Sequence, residues 1–256
     1  MNTQETLQLE TLPQRRASTL ANSLESRIDA TDWSAFEATL TRDGYAILND
    51  VLTPEQCMGV ADLFPQDEQF RSRIVMERYA FGRGEYKYFS YPLPDLVSRL
   101  RQALYPHLAP IANRWHAAMR IEERFPTSHD EFRQICHDAG QQRPTPLLLR
   151  YRKNDYCCLH QDLYGEHVFP LQVVFLLDEP ERDFVGGELL LTENDPKRPG
   201  RAEVVPLRRG DAVVFAVNHR PVRSSRGFYR ANLRHGVSKL HSGQRHTLGI
   251  IFHDAK

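Results

Sequence analysis

Residues 147–162 read Leu147-Leu148-Leu149-Arg150-Tyr151-Arg152-Lys153-Asn154-Asp155-Tyr156-Cys157-Cys158-Leu159-His160-Gln161-Asp162. An apolar run ending at Tyr151 gives way to a polar turn, and a second short run delivers His160 and Asp162. In extended chain, residues two apart project to the same side, so this imidazole and carboxylate can converge on one point. The pair begins a site for divalent iron, which needs one more histidine. Alone it decides little, because a strand-end histidine followed by a turn aspartate is also an ordinary structural arrangement.

The surrounding chain supplies a framework. From Arg143-Pro144-Thr145-Pro146 onward, short apolar runs occupy 147–151, 168–177, 187–192, 201–206, 211–217, 228–234 and 245–252. Glycine turns separate them at Gly186-Gly187, Pro199-Gly200, Arg209-Gly210 and Ser242-Gly243, the pattern of an all-β sandwich or barrel. Before that boundary the pattern is mostly helical. A helix is predicted from about Asp32 to Arg42, stopping at Gly44, followed by a short strand Tyr45–Leu48. Thr53-Pro54-Glu55 starts another helix, with proline at the first position. Residues 92–120 read as a helix with Leu96, Leu100 and Leu104 on one stripe, which Pro106 and Pro110 should interrupt or kink. A further helix spans about Thr127 to Ala139. The expected fold class is α+β, a helical N-terminal half (31–142) packed against a β core (143–256), with residues 1–30 as a polar leader holding a short helix.

Composition narrows the function classes. The 256 residues are 41 % hydrophobic, enough for one sizeable core, and hold no apolar run long enough to cross a bilayer. The N-terminus lacks the pattern of a secretory signal. Four cysteines, at 57, 136, 157 and 158, form no C-x-x-C pair. The vicinal pair is too cramped for an ordinary structural disulfide, so reduced thiols and a cytoplasmic location are expected. Net charge is zero, yet between Lys197 and His246 twelve lysines and arginines face two acids, Glu203 and Asp211. Such a segment suits an anionic partner, or a solvated surface whose counter-charges lie elsewhere in the chain. Residues 70–91 mix Arg71, Arg73, Arg78, Arg83 and Lys87 with Tyr79, Phe81, Tyr86, Tyr88, Phe89 and Tyr91. They read as a twisted hairpin with snorkelling cations, ahead of a loop that covers a planar substrate.

The third ligand is sought among the later strands. His235 lies in Asn232-Leu233-Arg234-His235-Gly236, and Arg245 opens the last apolar strand ten residues on. Two histidines and a carboxylate form the facial triad of non-haem Fe(II) oxygenases, with three positions left open. An arginine nearby can grip a dicarboxylate cosubstrate through two parallel charge-assisted bonds, and Tyr151 can add its hydroxyl. His219 is the rival third ligand; ten residues on from it stands Tyr229, with Arg230 adjacent, so His235 is preferred. His241, His246 and His253 read as structural or surface histidines, Asp178 and Glu188 as turn and strand-edge acids. Arg220, Arg223, Arg226, Arg230 and Arg234 could track a phosphate backbone, although a charged β-edge is the commoner explanation.

His160-Gln161-Asp162, His235 and Arg245 in combination resemble the H-x-D…H…R pattern of the Fe(II)/2-oxoglutarate dioxygenases. The stretch Arg150 to Asp162 is similar to the corresponding strand of AlkB-type nucleic-acid demethylases, and the His235-to-Arg245 spacing to the prolyl-4-hydroxylase branch. Phe81–Phe89, His160–Leu177, Gly210–His219, Arg234–Ser238 and Leu248–Asp254 resemble a bacterial group of oxygenases acting on damaged nucleic acid. The resemblance covers about residues 35–254. It implies a double-stranded β-helix (jelly-roll, cupin-like) core, iron held by His160, Asp162 and His235, and 2-oxoglutarate anchored by Arg245 and Tyr151. Further implied are O2 as co-reactant and C–H hydroxylation with no catalytic side chain beyond the metal ligands. The substrate expected is alkylated nucleic acid, a DNA-repair role, with nucleic acid as partner and no membrane. One departure bears on this: the AlkB-type R-x-N-x-T-x-R pattern would place a second arginine where Ile251 stands. A protein or small-molecule hydroxylase is therefore the alternative. A non-catalytic barrel binding metal, 2-oxoglutarate or nucleic acid is a more distant one.

Overall fold

The computed structural model describes residues 23–256 except Tyr164, residues 195–199 and Arg226. Most of the expected leader, with Lys197, Arg198 and Arg226 of the basic segment, lies outside the described residues. Helix α1, Leu24–Asp29, is capped by Ser23 and buries Leu24 and Ile28. Helix α2, Trp33–Asp43, starts where the Asp32 carboxylate accepts from the amides of Ser34 and Ala35, and ends on Gly44 at φ 85°. Strand β1, Tyr45–Leu48, follows. Helix α3, Pro54–Ala61, carries a capping box between Thr53 and Gln56. The 70–91 stretch holds the expected hairpin, β2 (Phe70–Val75) against a later strand β4 (Glu85–Phe89), while β3 (Gly82–Arg83) between them pairs outside the hairpin.

Helix α4, Asp95–Ala118, runs unbroken through Pro106 and Pro110, so of the expected interruption or kink the interruption does not occur. Each interior proline costs roughly 3 kcal/mol. Against that cost α4 buries Val97, Leu100, Leu104, Leu108, Ile111 and Trp115, each large apolar side chain contributing about 1.5–3 kcal/mol. Tertiary packing outweighs local propensity. Helix α5, His129–Asp138, completes the helical layer.

The remaining strands are β5 (Leu147–Arg152), β6 (Tyr156–His160), β7 (Leu171–Leu176), β8 (Phe184–Gly186) and β9 (Leu189–Asn194). Then come β10 (Arg201–Val205), β11 (Ala212–Ala216), β12 (His219–Ser224), β13 (Gly227–Val237) and β14 (Leu240–Ile250). They form a double-stranded β-helix, with one sheet ordered β11-β7-β14-β5 and the other β10-β9-β13-β6. The N-terminal part adds strands as well as helices. Strand β1 extends the first sheet beyond β11, β4 and β2 extend it beyond β5, and β3 extends the second beyond β6.

Strand alternation divides the interior in two. Val173, Phe175, Leu248 and Ile250 face the helices and join the core of α4. Tyr151, Leu176, Leu189, Leu191, Phe215 and Leu240 face into the barrel. A buried polar network ties the C-terminus to α4. The Arg101 guanidinium donates to the carbonyls of Ile251 (2.9 Å) and Phe252 (2.8 Å) and to the Asp254 carboxylate (2.6 Å). Asp254 also accepts from Tyr91 (2.8 Å) and meets His137 at 2.8 Å. Burial pushes the Asp254 carboxyl up, but Arg101 and the surrounding donors hold it below the usual range. Replacing Asp254 with alanine leaves Arg101 buried and unpaired, at an expected cost of about 3–5 kcal/mol. Calorimetry should show the melting temperature falling by roughly 6–20 °C. A depressed folded-state pKa stabilises above the unfolded carboxyl value and is lost as pH falls through the folded one. Wild type should therefore lose this increment in acid, and Asp254→Ala should show a flatter acid limb.

Candidate metal centre

The centre forms where β6 and β13 meet. His160 and His235 are direct cross-strand partners, so both imidazoles project from the same face of the sheet, into the barrel. The register then shifts, and Val237 pairs with Cys157. Gly236 permits the close approach: a Cβ there would lie 2.7 Å from the Cys157 carbonyl oxygen. Gly236→Val is expected to push β13 from β6 and weaken iron binding at least about tenfold, measured by equilibrium dialysis. Unchanged binding would show that the strands can part without disturbing the site.

Asp162, two residues beyond His160, closes the group. His160 Nε2 stands 3.5 Å from Asp162 Oδ1, and His235 Nε2 3.2 Å from Asp162 Oδ2. The donor atoms of the three residues all lie within 4.8 Å of one another. His160 Nδ1 is 2.9 Å from the Cys158 carbonyl, which can only accept, so Nδ1 carries hydrogen and Nε2 is left for a metal. Burial works against charge on His160, but Asp162 and Cys157 raise its pKa to about 11. Burial raises the Asp162 carboxyl, yet the two imidazoles hold it well below its usual value. Burial lowers His235. An acceptor-rich carboxylate between two imidazole nitrogens, open on the cavity side, fits a divalent cation.

These residues line a cavity of about 330 Å³. Arg245 and Tyr151 share it, because they are cross-strand partners on β14 and β5 and point the same way. Arg245 is 2 % exposed, and its Nε and Nη1 find no hydrogen-bond partner among the described residues. Burial lowers its pKa. Tyr151 is likewise buried, which raises its hydroxyl well above the usual value. Leu147, Leu149, Thr247, Gly249 and Ile251 complete the wall along β5 and β14.

The structure separates the two rival histidines. His219 opens β12, pairs with Asn232 and does not line the cavity. His246 points away from the barrel interior, where the Asp178 carboxylate accepts from its backbone amide and lies 3.0 Å from its Nδ1. His253 is fully buried, accepting from the Phe169 amide at 3.2 Å. Glu188 pairs with the Ser238 hydroxyl at a strand edge. All four cysteines are free thiols.

Gln172 escaped the sequence, and the hairpin residues were read there only as the less favoured cover for a planar substrate. Gln172, on β7, is buried with its amide 3.3 Å from His235 Nε2. It is a lone polar residue in an apolar run, and that oddity was the available signal. From the hairpin, Met76, Phe81, Tyr86 and Tyr88 reach the cavity. Its cations turn to internal partners: Arg71 stacks on Tyr88 at 4.5 Å, Arg73 and Arg150 share Glu85, and Lys87 donates to the Phe64 carbonyl at 2.7 Å.

Fold and donor set together define the class, the Fe(II)/2-oxoglutarate oxygenases. More narrowly, residues 84–255 match the Oxygenase-NA family, described as "Oxygenase, catalysing oxidative methylation of damaged DNA", and the chain belongs to that family. It is an oxygenase. An uncharacterised protein of Mycobacterium tuberculosis (strain CDC 1551 / Oshkosh) is 50 % identical over 167 residues, covering 65 % of this chain and 72 % of the relative. Among solved structures, a Pseudomonas putida prolyl-4-hydroxylase superposes with a TM-score of 0.54 at 13 % identity, over 88 % of this chain and 99 % of that one. A prolyl hydroxylase from Trichoplax adhaerens, solved with a hypoxia-inducible-factor peptide fragment, gives 0.54 at 13 % identity over 90 % and 92 %. Both share the fold. Of the described helices, none is long and apolar enough to cross a membrane.

Proposed function

We propose that His160, Asp162 and His235 hold Fe(II), that Arg245 and Tyr151 anchor the far carboxylate of 2-oxoglutarate, and that the enzyme hydroxylates an alkyl group on nucleic acid. The observation that carries the cosubstrate assignment is Arg245. A buried guanidinium with two unpartnered nitrogens is costly unless an anion completes it. A dicarboxylate reaching from the metal centre would supply that anion, and Tyr151, the cross-strand partner of Arg245 in the same cavity, would donate its hydroxyl beside it.

Bound iron and 2-oxoglutarate would supply O2 activation and insertion of one oxygen into a C–H bond, the cosubstrate leaving as succinate and CO2. The chain's own part is positioning. The Cys158 carbonyl fixes the His160 tautomer, and Gln172 presents its amide beside His235. Phe81, Tyr86 and Tyr88 offer flat apolar surface to a planar group and exclude water. On an N-methylated base, hydroxylation gives a hydroxymethyl group that leaves as formaldehyde. The family description and these aromatic rings support a nucleobase, which must leave its stack to enter. A second reading, hydroxylation of a protein side chain or small molecule, is favoured by Ile251, an apolar residue lining the cavity where AlkB-type enzymes place a second arginine.

The test is anaerobic titration of metal-free protein with Fe(II) and 2-oxoglutarate, followed by the weak visible charge-transfer band of a chelated keto acid. A saturable band at one equivalent supports the reading. No band under any loading order sinks it. Formaldehyde release from methylated oligonucleotides, set against hydroxylation of peptides, separates the two substrate classes.

A further inference from the structure

Strand alternation sorts the basic segment onto two faces, and only one of them is satisfied from within. Arg220 points inward: it is 5 % exposed, pairs with Glu193 at 2.7 Å and donates to the Thr41 carbonyl. It is therefore no part of any phosphate track. On the opposite face, Phe228, Arg230, Asn232 and Arg234 follow one another at every second position of β13. Cross-strand register puts Arg223, Pro221 and His219 of β12 and Asn194 and Thr192 of β9 on that same face. Ala202 and Val204 of β10 continue it. No acid occurs among these residues.

We infer that this outer face of β9, β12 and β13 is a docking track for the sugar-phosphate backbone of a single-stranded nucleic acid, leading toward the metal centre. The inference rests on the nucleic-acid reading above. Arg223 and Arg234 are exposed and make no ion pair or hydrogen bond with the described residues, so both charges face solvent uncompensated. Arg230 is anchored by the Met119 carbonyl at 2.9 Å, which holds a cation between them. Phe228 is 51 % exposed and presents an aromatic face on which a base can stack. Phe228 to Arg234 spans about 20 Å of strand, matching the shorter single-strand sites of roughly four nucleotides. Direction comes from the strand itself. Arg234 projects outward one residue before His235 projects into the cavity, so the Arg234 end of the track lies directly across the sheet from a candidate metal ligand. A cationic, acid-free face with an exposed ring complements a phosphate chain carrying bases, and an acidic polypeptide would leave the ring unused.

The test is fluorescence anisotropy with a labelled oligothymidylate, at several salt concentrations, on the iron-loaded protein. Variants are Arg223→Glu, Arg223→Glu with Arg234→Glu, Phe228→Ala, and Arg182→Glu as a charge control in the loop between β7 and β8. Retention of the iron and 2-oxoglutarate band shows that each variant is folded at the site, and Arg223→Glu stands alone if the change beside His235 disturbs it. The expected result is at least tenfold weaker binding for the double reversal, with a log–log salt slope shallower by about 1.4. Phe228→Ala should weaken binding about fivefold or more, and Arg182→Glu should match wild type. If wild type binds tightly and the reversals bind equally well, the strand runs elsewhere and the track is wrong, while the nucleic-acid reading survives. If wild type binds no oligonucleotide at low salt, that reading falls and the track with it. Binding of polyglutamate in place of oligothymidylate would reassign the face to an acidic polypeptide.

Discussion

Replacing His235 with alanine is expected to abolish the visible band that iron and 2-oxoglutarate give with the wild-type chain, whereas His219→Ala should leave it in place. Losing a partner that merely orients a ligand costs about 10–100-fold in metal affinity. Losing one of three direct ligands should exceed that range. His235 faces Asp162 and His160 inside the barrel, and no other histidine among the described residues joins their cluster. His219 lies on β12 outside the cavity lining, so its removal should change iron affinity by no more than about twofold. Metal content after dialysis checks both variants independently of any turnover. Iron retained by His235→Ala and lost by His219→Ala would reverse the assignment.

Arg245→Met should separate cosubstrate binding from stability, and in opposite directions. Two charge-assisted hydrogen bonds to a carboxylate are worth about 1.5–3 kcal/mol each. Their loss predicts roughly a hundredfold to ten-thousandfold weaker 2-oxoglutarate binding, by calorimetry on the iron-loaded protein. In the cosubstrate-free chain the same change removes a buried cation with two unpartnered donors and puts an apolar chain of similar length in its place. Its melting temperature should therefore hold or rise. Adding 2-oxoglutarate should stabilise wild type and leave the variant unmoved. Equal affinity in both proteins would show that the dicarboxylate is held elsewhere.

What the sequence disclosed tracks the range of the interactions concerned. Both ends of α2 and the start of α3 were legible because Asp32, Gly44 and the Thr53-Pro54 pair act on residues within four positions. That His160, Asp162 and His235 come together was legible because their residue types are scarce, and strand alternation relates His160 to Asp162 directly. The unbroken α4 was not, since packing against strands far along the chain overrides Pro106 and Pro110. Nor was the Arg101–Asp254 pair, whose members stand 153 residues apart. The twelve basic residues of the C-terminal segment suggested one cationic surface. The structure spends Arg220 on Glu193 and Arg245 on the cavity, a sorting that depends on which side of a strand each falls. Tyr86 and Tyr88 read as hairpin residues, which they are; that the hairpin joins the edge of β5 and so walls the cavity depends on sheet order.

The clasp between Asp178 and His246 bears on how preparations of this enzyme should be judged. Along β14, Arg245, Thr247 and Gly249 look into the barrel, while His246, Leu248 and Ile250 look out. A slip of one residue would exchange the two sets, turning the guanidinium outward and an imidazole in. Asp178 grips His246 through both backbone and ring, and so pins the last strand against such a slip. With Arg245 as the proposed anchor, a molecule closed one residue out of step would still be compact and rich in sheet, yet would have no grip on 2-oxoglutarate. The number of ligand equivalents taken up per chain therefore measures how much of a sample has folded correctly, where circular dichroism would count every molecule alike.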